Sequence, residues 1–230
     1  SKGRTAYSVL GSVAGNEADR EDSESISNDL GFRYKAFEDQ LLATLVVFES
    51  ARTNLGYSNP LYEAGVSGPD IVESYFDGEE QTKGVELDLN AYLNEQWKIN
   101  VNGVYQDARD KSNPNSSAYD TRQKGVPYVT ASTWVTYYAN IFNLPESVNI
   151  SGGITYVDNR STNSSSFSIP DGYVPGYTVY DAAISYTTKQ WNMQLNLNNL
   201  FNKQYYSKAM FLGGMPGEER NAKLTLSYKL

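Results

Sequence analysis

Apolar and polar residues alternate one by one along much of this chain. Val85, Leu87, Leu89 and Ala91 interleave with Glu86, Asp88 and Asn90, and Trp97, Ile99 and Val101 with Lys98, Asn100 and Asn102. Val148 and Ile150 alternate with Asn149 and Ser151, and Trp191, Met193, Leu195 and Leu197 with Asn192, Gln194, Asn196 and Asn198. Near the end, Ala222, Leu224, Leu226, Tyr228 and Leu230 alternate with Asn221, Lys223, Thr225, Ser227 and Lys229. Successive side chains of a strand leave on opposite faces, so this period predicts strands with one apolar and one polar face. About ten are predicted, over residues 3–14, 28–37, 40–52, 73–93, 97–110, 126–139, 147–158, 176–187, 190–199 and 219–230.

Two architectures give such strands. A soluble sandwich buries its apolar face in a core, but its strands are mostly about 5–6 residues long. Several here run to ten or more, near the roughly 9–11 that cross a bilayer at a tilt. The links between them alternate in length: 15–27, 53–72, 111–125, 159–175 and 200–218 are long, 38–39, 94–96 and 188–189 are short, and 140–146 is intermediate. Long external loops and short periplasmic turns are the mark of an outer-membrane β-barrel. Tyr92 and Trp97 flank one short turn, Tyr186 and Trp191 another. Aromatic residues at strand ends suit a membrane–water girdle, and equally suit cross-strand pairs in an ordinary hairpin.

Composition narrows the chemistry. The longest apolar stretch, Leu41-Leu42-Ala43 then Leu45-Val46-Val47-Phe48, is broken by Thr44 and is far short of the roughly 18 residues of a membrane helix. Cys and His are both absent. That excludes a disulfide framework, a thiolate metal site and any Ser–His pair, and no metal or cofactor is expected. The formal net charge of −8 argues against nucleic-acid binding. The acidic run over 16–24 lacks the EF-hand spacing and reads as a charged solvated loop. The carboxylate pairs Glu79-Glu80 and Glu218-Glu219 are adjacent, so within strands their side chains would diverge, and no enzyme is expected. Asn115 and Asn163 begin Asn-x-Ser triplets, without meaning in a bacterial outer membrane. No signal peptide is visible ahead of Ser1-Lys2-Gly3-Arg4.

The last third carries a resemblance. Asn199-Leu200-Phe201-Asn202-Lys203-Gln204-Tyr205 resembles the "NLFDKxY" signature near the end of TonB-dependent outer-membrane receptors, with Asn202 where Asp is usual. Pro175-Gly176-Tyr177-Thr178-Val179-Tyr180-Asp181 resembles that family's "Y-x-x-x-D" strand, Gly84-Val85-Glu86-Leu87 its "GxE" strand opening, and Val126-Pro127 with the strand to Tyr137 its "P-x-(strand)-Y" stretch. The resemblance covers roughly residues 75–230, and residues 1–74 fit by strand pattern. It implies an all-β, transmembrane antiparallel β-barrel, with this chain supplying about ten C-terminal strands of a 22-stranded barrel around a plugged lumen. The family's plug domain is not seen in residues 1–230. The chain ends Tyr228-Lys229-Leu230, where outer-membrane barrels commonly end on an aromatic residue.

The resemblance further implies a multi-pass protein of the bacterial outer membrane with both chain ends periplasmic. It would meet outer-membrane lipid and lipopolysaccharide and be driven by the TonB complex through the missing N-terminal plug region. Its expected role is receptor and transporter for a scarce ligand, a ferric siderophore first, with cobalamin, carbohydrate or a passive pore as alternatives. Ferric siderophores are often anionic and aromatic-rich, so aromatic and cationic side chains on the external loops are the candidates for contact. These are Arg52, Tyr57, Tyr62, Arg109, Tyr119, Arg122, Arg160, Phe167 and Tyr173. Ordinary surface packing accounts for the same residue types.

Overall fold

The computed structural model describes residues 2–5, 22–68, 71, 74–112, 119–139, 147–162, 172–210 and 213–229. The strands are β1 (Lys2–Thr5), β2 (Ser23–Ala36), β3 (Leu41–Ser58), β4 (Ser74–Tyr92), β5 (Trp97–Asp110), β6 (Thr121–Arg122), β7 (Val129–Ala139), β8 (Ser147–Val157), β9 (Arg160–Ser161), β10 (Tyr173–Val174), β11 (Tyr177–Thr187), β12 (Trp191–Asn198), β13 (Tyr206–Met210), β14 (Gly213–Pro216) and β15 (Asn221–Tyr228). One short helix, α1 (Pro60–Glu63), lies between β3 and β4. The main sheet has the order β1-β2-β3-β4-β5-β7-β8-β11-β12-β15, with β6 paired to β5, and β1 and β15 end the path. Two small pairs stand apart, β9 with β10 and β13 with β14.

The predicted strands over 28–230 are present, with informative differences. β5 matches its predicted span, and β4, β8, β11 and β12 fall within one residue at each end. β2 begins earlier than expected and β3 continues to Ser58, six residues past the predicted end at 52. The β3 extension continues the alternation past the predicted end, with Leu55 and Tyr57 between Asn54, Gly56 and Ser58, whereas the β2 extension, residues 23–27, carries a single apolar residue, Ile26. The expected loops 111–125, 159–175 and 200–218 are not wholly loop: they carry β6, β9 with β10, and β13 with β14. Most of 3–14, the acidic run over 16–21, Asn115, 140–146 and Asn163 lie outside the described residues.

The short links are built from turn chemistry. Asn94 Oδ1 accepts hydrogen bonds from the Gln96 and Trp97 backbone N–H at 2.8 and 2.9 Å. Thr188 Oγ1 does the same for Trp191 N–H at 2.9 Å. Each side chain replaces a backbone partner that a tight turn cannot supply.

The chain divides into two compact units, Ser1–Leu30 with Val47–Gly84 and Gln106–Gln123, and Gly31–Val46 with Val85–Tyr105 and Lys124–Leu230. In the first, Glu49 accepts from Gln81 at 3.0 Å and pairs with Lys83 at 3.1 Å, and the Tyr57 and Tyr75 rings lie 5.5 Å apart. In the second, register sorts the residues into two faces. Ile150 pairs with Ile184, Ile184 with Leu195 and Leu195 with Leu224; Tyr186 pairs with Met193 and Met193 with Leu226. On the other face Asn149 pairs with Ser185, Ser185 with Gln194 and Gln194 with Thr225. Hydrogen bonds tie that face together, Ser132 Oγ to Asn102 Oδ1 at 2.7 Å and Asn198 Nδ2 to Asn221 Oδ1 at 2.9 Å.

The apolar face is uncovered. Ile150, Ile184, Leu224 and Leu226 are 50%, 46%, 63% and 57% accessible, and the only buried hydrophobic residues among those described are Ala91, Ala108, Val174 and Val179. A water-soluble sheet would cover that face with another layer. Aromatic pairs mark its edge beside the short turns: Trp97 with Tyr137 at 4.8 Å and Trp191 with Tyr228 at 4.7 Å between ring centroids. Tyr92, which flanks the same turn as Trp97, takes Lys98 Nζ over its ring at 5.3 Å, on the face of Asn90 and Lys98. From Trp97 to Tyr105 the same face of β5 spans about 26 Å at ~3.3 Å per residue, close to the ~25 Å apolar band of outer-membrane barrels.

Candidate functional site

The signature sequence forms a clasp. Asn199 and Asn202 take φ of 50° and 51°, left-handed values that Asn tolerates better than most residues. The turn lets Asn202 N–H reach Asn199 O at 2.8 Å. Asn199 is buried and all its polar groups are engaged. Its N–H donates to Asp181 Oδ1 at 2.8 Å, its Nδ2 to the carbonyls of Lys203 and Glu218 at 2.8 and 2.9 Å, and its Oδ1 accepts Lys203 N–H at 2.8 Å. Asp181 closes the "Y-x-x-x-D" stretch, so two motifs distant in sequence meet here. Asn202 Oδ1 accepts Arg220 N–H at 2.9 Å, a role a carboxylate oxygen would fill equally, so the departure at this position leaves the clasp whole. The clasp holds β11, the end of β12 and the start of β15 together.

Above the clasp, the loops of this unit are locked by Arg160. It is 6% exposed, and its Nη1 and Nη2 donate to the carbonyls of Ser207 and Tyr206 at 2.7 and 2.8 Å. Its guanidinium lies 5.8 Å from the Tyr177 ring centroid, and Tyr177 packs on Tyr205 at 4.2 Å. Burial is the main cause that raises the Tyr205 hydroxyl above its ordinary pKa. Gly217 is required beside that ring, since a Cβ there would come within 2.2 Å of it. Tyr173, on the two-residue strand β10, is more than half exposed. Phe167 lies outside the described residues.

The remaining candidates fall in the other unit. Arg52, expected on a loop, is exposed within β3, and Tyr62 is exposed on α1, whose start is capped by Asn59 Oδ1 accepting Leu61 N–H at 3.0 Å. Tyr57, at the end of β3, has its hydroxyl pushed up to about 12, by burial first and then by its hydrogen bond to Asp77 and that carboxylate's charge. Arg109 clamps Asp107 through Nε and Nη2 at 2.7 and 3.0 Å and donates from Nη1 to Asp120 O at 2.8 Å. Arg122 sits opposite it in the β5–β6 pair. Lys111 bonds Asp120 and lies 5.4 Å from the exposed Tyr119 ring. That mutual bond is the first cause of the raised Lys111 and lowered Asp120 pKa values. Sequence reasoning missed Lys111, Asp120, Asp181 and Asn199 as bonded partners. No group of His, Cys, Asp and Glu able to hold a metal occurs among the described residues.

Known proteins share this fold. A family model described as TonB dependent receptor-like, beta-barrel, matches residues 14–200. A probable TonB-dependent siderophore receptor, PiuA of Acinetobacter baumannii, is 27% identical over 219 residues, covering 90% of this chain and 27% of that protein. Among solved structures, BauA, the ferric preacinetobactin receptor of the same species, superposes with a TM-score of 0.74 at 20% identity, covering 90% of this chain and 30% of that one. The ferric-catecholate import receptor Fiu of E. coli gives a TM-score of 0.73 at 21% identity, with 97% and 30% covered. The chain thus spans less than a third of each of these proteins. It belongs to the TonB-dependent receptor family, matching the family's β-barrel, and is accordingly an outer-membrane protein of a receptor and transporter family rather than an enzyme.

Proposed function

We propose that residues 1–230 are the C-terminal portion of the transmembrane barrel of a receptor that imports a scarce ligand, a ferric siderophore, with energy from the TonB complex. The observation that carries the reading is the two-faced sheet, with Ile150, Ile184, Leu195 and Leu224 in register on an apolar face that nothing in the structure covers and Asn, Gln, Ser and Thr on the other. Lipid covers the first face and a wet lumen the second. The ends of the sheet path, β1 and β15, call for further strands, because an open edge in lipid costs several kcal/mol per unsatisfied backbone group. A complete barrel of about 22 strands around a plug would supply them, with the plug region meeting TonB and both ends of this chain periplasmic.

Relatives support the choice of ligand: among them are a ferrioxamine B receptor of Salmonella typhimurium and a ferripyoverdine receptor of Pseudomonas aeruginosa. On the loops, Arg52, Tyr57, Tyr62, Tyr119, Arg122, Phe167 and Tyr173 are the proposed contacts. Arg109 and Arg160 shape the loops that present them, since their guanidinium groups already hold carboxylate or carbonyl partners. The test is growth of a deletion strain on a panel of iron sources. Loss of growth and of ⁵⁵Fe uptake on one siderophore supports the reading. Unchanged uptake on every source overturns it in favour of cobalamin, carbohydrate or passive permeation.

A further inference from the structure

The corner beyond β11 and β12 has two sides. Phe201 stands edge-on to Tyr180 at 5.1 Å, and Tyr180 belongs with Ala182, Ile184 and Tyr186 on the apolar face. Tyr205 packs instead on Tyr177, which belongs with Val179, Asp181 and Ser185 on the polar face. On this second side lies a cavity of about 560 Å³ whose lining includes Lys203, Gln204, Tyr205, Tyr206 and Glu219. Its size falls in the ~300–1,000 Å³ range of small-molecule sites. The aromatic wall is built in advance. A Cβ at Gly217 would come within 2.2 Å of the Tyr205 ring, and a Cβ at Gly214 within 2.4 Å of the Tyr206 ring, so each ring is seated against a glycine. Arg160 holds the Tyr206 carbonyl, and Asn199 those of Lys203 and Glu218. The charges, by contrast, are uncommitted. Lys203 and Glu219 are both exposed, and neither joins an ion pair among the described residues. They are of opposite sign, so the lining carries no net formal charge.

We propose that this cavity is a ligand subsite in which Glu219 selects uncharged ferric chelates, of the tris-hydroxamate class, over triply anionic tris-catecholates. The proposal rests on the reading of the protein as an importer of ferric siderophores. Three hydroxamates neutralise Fe(III), whereas three catecholates leave it with three negative charges. Lys203 donates to a hydroxamate or amide carbonyl, Glu219 accepts from an amide N–H, and Gln204 does either. The two tyrosine rings cover the methylene spacers between the chelating groups. A tris-catecholate would bring its charge against the Glu219 carboxylate, with one lysine of the lining to offset it.

The test is isothermal titration of the full receptor in mild detergent with two probes, N-acetylated ferrioxamine B, a neutral tris-hydroxamate, and a synthetic ferric tris-catecholate. The unaltered receptor is expected to bind the hydroxamate more tightly. Tyr206→Ala weakens that binding roughly tenfold, the scale of one lost aromatic contact, and Tyr206→Phe keeps most of it. Glu219→Gln tightens the tris-catecholate roughly fivefold by removing a like charge. It leaves the hydroxamate within about twofold, because the amide oxygen still accepts. Phe201→Ala, on the opposite face, changes neither. Catecholate binding as tight as hydroxamate binding overturns the subsite and leaves the importer reading standing. So does a hydroxamate affinity untouched by Tyr206→Ala or lost equally in Phe201→Ala, or a catecholate affinity untouched by Glu219→Gln. Failure of both probes to bind also overturns the subsite, and uptake in the iron-source panel then decides whether the importer reading falls with it.

Discussion

The two faces of the β7-β8-β11-β12-β15 sheet differ in chemistry and share a backbone. One is Ile, Leu, Tyr and Trp, in register from strand to strand and exposed; the other is Asn, Gln, Ser and Thr, hydrogen-bonded across strands. In a water-soluble protein the apolar face would be covered by another layer. The difference teaches that the chain's stability is supplied from outside itself. With four buried hydrophobic residues among those described, it has almost no core of its own, and burying each Ile or Leu in lipid is worth about 1.5–3 kcal/mol.

The sharpest way to break the comparison is a charge at the middle of each face. Leu195→Arg is expected to cost about 2–4 kcal/mol at the bilayer midplane. Gln194→Arg, its neighbour on the polar face, should cost under ~0.5 kcal/mol as a solvated substitution. Urea titration of the receptor folded into lipid vesicles measures both, and equal costs would remove the distinction between the faces.

A smaller effect comes from the polar face, where Trp134 lies over Gly153. A Cβ at Gly153 would fall 1.8 Å from Trp134 Cε3, so Gly153→Ala must displace the indole. The expected cost is about 1–3 kcal/mol with a shift in Trp emission. Unaltered fluorescence and stability would mean that the ring is not seated there.

Comparable in size is the clasp. Asn199→Ala removes a buried side chain with three hydrogen bonds and strains a left-handed residue, costing about 1–3 kcal/mol in the same titration. Asn202→Asp should be neutral within ~0.5 kcal/mol, since the acceptor for Arg220 N–H is kept.

The smallest effects are on pH. Tyr57 is raised from 10.0 to about 12, so its contribution is full below pH 10 and is lost as pH rises toward 12. Asp120 is lowered, so its share is present above its ordinary pKa of 3.8 and is lost as pH falls through its depressed value. Tyrosinate absorbance at 295 nm follows the first, and loss of the high-pH transition in Tyr57→Phe would confirm the assignment.

Much of the sheet was legible in the sequence, because one apolar and one polar face impose a two-residue period along each strand. The β2 extension and the β13–β14 pair left no such trace, since residues 23–27 carry one apolar residue, Ile26, whereas the β3 extension kept its period through Leu55 and Tyr57 beyond the predicted end at 52. Tyr206-Ser-Lys-Ala-Met has no alternating apolar face to read. The candidate site was legible only as residue types. Arg160 and Arg109 looked like free cations, and the fold gives them carbonyl and carboxylate partners up to 47 residues away. The reason for Asn199 was likewise hidden, since its partners at Asp181 and Glu218 are distant in sequence.

The central claim is that the apolar face meets lipid. Residues 1–230 contain no Cys, so single cysteines can be placed at each position from Tyr180 to Thr187 of β11 in an otherwise cysteine-free receptor, spin-labelled and reconstituted in bilayers. Collision with oxygen should peak at Tyr180, Ala182, Ile184 and Tyr186, and collision with a polar nickel chelate at Asp181, Ala183, Ser185 and Thr187. An absence of alternation, or the chelate reaching Ile184 as readily as Ser185, would contradict the account.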